Sequence, residues 1–177
     1  MENNSTDNNR MMTGMFRDRE SAENAYNSLH SRGYSQDEIN LMMSDDTRKT
    51  HFENSEVDTE LGNKAMEGAG TGSAIGGTAG AIIGAIAAIG TAVALPGLGL
   101  VIAGPLAAGL AGAGAGGLTG GIVGALVGSG IPEDRAKEYE TGVKDGGIVM
   151  GVKPRNQEDA DYFENDWKNN RGEYIHR

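Results

Sequence analysis

Residues 68–132 read GAGTGSAIGGTAGAIIGAIAAIGTAVALPGLGLVIAGPLAAGLAGAGAGGLTGGIVGALVGSGIP. These 65 positions hold no Asp, Glu, Lys, Arg, His, Asn or Gln, and they contain 21 of the 29 glycines in the 177-residue chain. Gly68, Gly72, Gly76, Gly80 and Gly84 recur at every fourth position, and Ala88 and Ala92 continue the register. After Pro96, Gly97 and Gly99 it returns at Gly104, Ala108, Gly112, Gly116, Gly120, Gly124 and Gly128. Glycine inside a helix costs roughly 1 kcal/mol against alanine, so about ten of them need compensation on the order of 10 kcal/mol. A spacing of four supplies a side-chain-free stripe along which two helix backbones approach closely. The pattern predicts a glycine-zipper helical hairpin over residues 68–130 that turns at Pro96, Gly97 and Gly99, with the glycines in a packing and assembly role.

Each arm of such a hairpin would be roughly 40 Å long, enough for a hydrocarbon core of about 30 Å. Two surroundings fit it. One is a bilayer, with Lys64, Arg135, Lys137 and Lys144 beyond the outer ends placing both termini in the cytoplasm. The other is a homo-oligomer in the cytoplasm whose subunits bury one another's hairpins. An exposed monomeric hairpin would show an apolar patch well beyond what soluble monomers carry.

Working outward, all 40 charged residues fall on the other 112 positions and give a net charge of −10. That balance argues against nucleic-acid binding, which draws on Lys and Arg to displace phosphate counterions. The absence of cysteine excludes thiol catalysis, disulfides and cysteine-ligated metals. Residues 1–10 read as a disordered polar leader with no secretory signal pattern, and residues 45–67 as an acidic linker. Residues 11–44 form a β-α-β pattern: an apolar run at Met11 to Phe16, a helix with Ala22, Ala25, Tyr26 and Leu29 on one face, Gly33 as its stop, and a strand from Ile39 to Met43. Residues 131–177 repeat it. A bridging helix from Pro132 precedes a strand at Gly147 to Lys153, a helix at Gln157 to Asn169 carrying Ala160, Phe163 and Trp167, Gly172 as its stop, and a last strand at Glu173 to His176. The expected fold class is α+β, a ferredoxin-like four-stranded sheet with two helices on one face, split by the hairpin.

Residues 12–43, with Glu20, Ala22, Ala25, Leu29 and Gly33, and above all GIPEDRAKEYETGVKDGGIVMGV over residues 130–152, resemble the YflT-type general (heat-induced) stress protein domain of bacteria. The likeness covers the two flanking segments, and many members carry a glycine-rich block between them. It implies a stress-induced protein without an established catalytic site and brings no ligand residues with it.

Nothing in the sequence names a reaction. His30, His51 and His176 are scattered, and Met11, Met12, Met15, Met42 and Met43 read as core filling rather than a soft-metal site. The acidic linker lacks the fixed positions of a calcium loop. Gly112, Gly114, Gly116, Gly117, Gly120 and Gly121 contain spacings like a dinucleotide fingerprint, yet follow no strand and precede no placed acidic residue. The sequence therefore predicts no catalytic, cofactor-binding or metal residues. It predicts a non-enzymatic stress-response protein that associates with membrane lipid and with itself. A soluble homo-oligomer and a small-molecule or metal sensor using the sheet face stand as alternatives.

Overall fold

The computed structural model of the chain describes residues 10–53, 93–95, 99–107, 121–128 and 130–177. Its elements are strand β1 (Met12–Phe16), helix α1 (Arg19–Ser31), strand β2 (Ile39–Ser44), a helical turn α2 (Asp45–Arg48), strands β3 (Val93–Leu95) and β4 (Leu100–Ala103), helices α3 (Gly121–Gly128) and α4 (Glu133–Lys144), strand β5 (Ile148–Val152), helix α5 (Gln157–Asn169) and strand β6 (Glu173–His176). The fold is α+β. Among the described residues six strands join one antiparallel sheet in the order β3-β4-β2-β5-β1-β6. Five keep a continuous register; β6 joins β1 through only two aligned pairs, Thr13 with His176 and Met15 with Glu173, between which the register shifts.

The strands from the two ends of the chain interleave. β5 lies between β1 and β2, pairing Met12 with Val152 on one side and Ile39 with Val152 on the other. The expected four-stranded sheet is corrected to a wider one, because residues placed in the hairpin extend it. Val93–Leu95 and Leu100–Ala103 pair as a β-hairpin, and β4 runs along β2 with Leu41 opposite Ala103 and Ser44 opposite Leu100. The local chemistry favours strands here. Pro96 restricts the residue before it to extended backbone, the Pro-Gly pair promotes a turn, and Leu-Val-Ile at 100–102 suits a sheet. The turn expected at Pro96, Gly97 and Gly99 thus separates two strands rather than two helices; Pro96 and Gly97 themselves lie outside the described residues, and Gly99 has φ +60°.

Both faces of the sheet are covered. On the first, Met12, Phe16, Ile39, Leu41, Met43, Val101, Ile148, Met150 and Val152 pack under Ala22, Tyr26 and Leu29 of α1 and Phe163 and Trp167 of α5. On the second, Met15, Met42, Leu100, Ile102 and Val149 meet Ile122 and Leu126 of α3 and Ala136, Tyr139 and Val143 of α4. Helix α4, expected as a bridge, is therefore a covering layer. Gly142 allows its close approach: a Cβ there would meet the Met15 thioether.

Among the described residues no helix is long and apolar enough to cross a membrane. This overturns the expected transmembrane helix and membrane placement. Helix α3 has 8 residues, about 12 Å of length at 1.5 Å per residue. Its apolar side chains Ile122 and Leu126 are spent on the sheet. Its chain then turns through Gly130, φ +89°, with Gly130 N–H donating to Val127 O and Ile131 N–H to Leu126 O.

Candidate functional site

Three places bear on function: the polar group joining α1 to α5, a shallow cavity beside it, and the junction where the uncharged block meets the sheet.

The polar group forms because both helices end at one side of the first face. Helix α5 begins at Asn156, whose side chain accepts from Asp159 N–H at 2.8 Å. The Asp159 residue is 8% exposed. Its carboxylate accepts from Tyr34 Oη at 2.7 Å and from Arg32 Nη1 at 2.6 Å. The Tyr34 hydroxyl in turn accepts from Arg155 N–H at 2.7 Å. The Arg155 guanidinium stacks 4.2 Å from the Tyr34 ring centroid and donates to Glu38 and to Gly33 O. Burial alone would raise the Asp159 pKa, but the Tyr34 and Arg32 hydrogen bonds outweigh it and hold the carboxyl below its ordinary range. Burial, aided by the bond to Asp159, pushes Tyr34 up to about 12. A carboxylate so engaged offers no base or nucleophile. The arrangement clamps α1 to α5.

The cavity, about 190 Å³, is lined by Arg10, Met12, Pro154, Asn156, Gln157, Ala160 and Arg177. Arg177 is committed to Asp161 and Glu164, each at 2.7 Å.

At the junction, the side chain of Asn40, buried in β2 on the second face, reaches three segments. Its Oδ1 accepts from Leu106 N–H at 2.7 Å, while Nδ2 lies 3.3 Å from Gly151 O and 3.4 Å from Met11 Sδ. Gly104, φ +90°, brings its backbone onto Ile39 and Asn40, and a Cβ there would meet the Ile39 carbonyl. It belongs to a strand exit rather than to a helix stripe.

Gly68, Gly72, Gly76, Gly80, Gly84, Gly112, Gly116 and Gly120 lie outside the described residues, as do residues 1–9 of the leader and residues 54–67 of the linker. Gly124 and Gly128 are exposed on α3, and a Cβ at Gly128 would meet nothing within 4 Å. Beside them Val127 is 43% exposed. The methionines divide between faces, with Met12 and Met43 on the first and Met15 and Met42 on the second. Among the described residues no group of three or more His, Cys, Asp or Glu is placed to hold a metal.

Sequence reasoning missed Asn40, whose signal is a lone amide inside the apolar run Ile-Asn-Leu-Met-Met, and Asp159, whose partners Arg32 and Tyr34 stand more than 120 positions away. No family model, curated protein or solved structure matches the chain.

Proposed function

We propose that this is a non-enzymatic bacterial general stress-response protein of the YflT type that works in the cytoplasm as a homo-oligomer assembled through its uncharged block. The carrying observation is an asymmetry of the sheet's two edges. Among the described residues β3, Val-Ala-Leu, is the edge strand at one side and belongs to the block, and exposed Val127 sits on the block's helix α3. The opposite edge and its surroundings carry ion pairs instead: Arg17 with Glu173, Arg171 with Asp18, and Arg177 with Glu164. An uncharged edge strand is a template for pairing with another copy unless something covers it.

The four strands β2-β5-β1-β6 and helices α1 and α5 read as a ferredoxin-like core. The support is their order and the two β-α-β units that supply them; β3, β4, α3 and α4 are additions from the intervening chain and its return. A sensor using the sheet face has less to recommend it, since helices cover both faces.

Light scattering coupled to size exclusion tests the assembly. The expected result is one discrete multimer at micromolar concentration, dissociated by Ala94→Lys with Val127→Lys. A monodisperse monomer at the highest accessible concentration sinks the reading. Induction is checked separately, by the abundance of the chain before and after a heat shift, where no rise counts against the stress assignment.

A further inference from the structure

We infer that Met11 is a site of peroxide oxidation whose modification releases the Leu106 amide and so loosens the junction between the uncharged block and the sheet. The inference stands apart from self-assembly, because it needs only one chain.

Access selects Met11. The described methionines Met12, Met15, Met42, Met43 and Met150 are each 2% exposed or less, whereas Met11, just before β1, is half-buried against the second-face cluster. A peroxide must reach the sulfur lone pair, so exposure ranks these thioethers. Position gives the modification an effect. Met11 Sδ lies 3.4 Å from Asn40 Nδ2. The same amide holds Leu106 N–H on its Oδ1.

Hydrogen peroxide delivers one oxygen atom to Sδ. The O–O bond breaks, an S–O bond forms, the sulfur loses two electrons, and the peroxide is reduced to water. The thioether, a weak acceptor, becomes a sulfoxide, a strong and bulkier one. Sδ already stands 3.4 Å from Asn40 Nδ2, so an oxygen added on that side displaces the amide. The Asn40 Nδ2 group turns to the sulfoxide, and because the amide is planar its Oδ1 swings off Leu106 N–H.

The test treats the full chain with hydrogen peroxide and follows sulfoxide formation by peptide mapping and backbone amide exchange by mass spectrometry. The expected outcome is oxidation of Met11 ahead of Met12, Met15, Met42, Met43 and Met150, with exchange at Leu106 rising about five- to tenfold, as for one lost hydrogen bond. Methionine sulfoxide reductase reverses both changes. Met11→Leu leaves exchange at Leu106 insensitive to peroxide, and Met11→Gln, with a permanently polar end, raises it without peroxide. The inference is overturned if Met11 oxidises no faster than the buried methionines. It is equally overturned if Leu106 exchange stays unchanged in the oxidised chain or in Met11→Gln, or if Met11→Leu still responds to peroxide.

Discussion

At the scale of single residues, Asp159 ties the start of α5 to the chain leaving α1 through Arg32 and Tyr34. Asp159 follows an N-cap and reads as an ordinary first-turn acid, favourable near a helix N-terminus; only the fold brings Arg32 and Tyr34 to it. Because its folded pKa is depressed, the stability it contributes is present above its unfolded value of about 3.9. That contribution is lost as pH falls through the lower folded value. Asp159→Asn is expected to destabilise the chain by about 1–3 kcal/mol at neutral pH. The difference from the parent should hold between pH 5 and 8 and shrink below pH 4; urea titrations across that range would refute the assignment if the gap were independent of pH down to 3. The stop of α5 teaches a related lesson. Gly172 is not the left-handed residue there: Arg171 has φ +60°, and Gly172 is required because a Cβ would stand 2.7 Å from the Trp167 carbonyl.

At the scale of elements, the flanking helices and strands were legible because their apolar spacing and stops are strong, and α5 and β6 fall where the pattern places them. The second covering layer was less so. Its signal lay in β1 and β5, Met-Thr-Gly-Met-Phe and Ile-Val-Met-Gly-Val, whose every residue is buried. A strand with one wet face alternates, and these do not. The hairpin at 93–103 was hidden by the four-residue glycine register around it, although Pro-Gly between β-formers is itself a turn signal. Two tyrosines on opposite layers make the layering testable. Tyr139 of α4 donates to Tyr174 O at 2.7 Å and is hydrogen-bonded to Thr13 Oγ1 at 2.8 Å, so it pins α4 to β1 and β6. Tyr26 of α1 is fully buried, and among the described residues its hydroxyl has no hydrogen-bond partner. Tyr139→Phe should therefore destabilise by about 1–2 kcal/mol, and Tyr26→Phe should be neutral or stabilise by about 1 kcal/mol. Equal losses in the two variants, read from denaturant midpoints, would contradict these environments.

At the scale of the whole molecule, one sheet carries both layers, and the chain should unfold as one unit. The single tryptophan, Trp167, lies fully buried on the first face, edge-on to Phe16 at 5.8 Å. Its fluorescence reports that layer, while circular dichroism reports all the helices. The two transitions are expected to coincide; a separate earlier loss of helix would show that α3 and α4 detach independently of the core. The composition, so uneven along the chain, had suggested a sheet interrupted by a separate apolar device. Instead part of the device is woven into the sheet and part roofs it, which is why composition alone misplaced it. The position of β5 carries a further consequence, for biosynthesis. β1 and β2 are not paired with each other; each pairs with β5, which follows β2 by about a hundred residues and β1 by about 130. At roughly 5–20 residues per second, a ribosome exposes the first two strands for some 5–20 seconds before the strand that joins them is made. During that wait β2 can pair only with β4, and β1 has neither of its neighbours, β5 and β6, so the chain's demand for a holding chaperone should peak just before Ile148 leaves the exit tunnel.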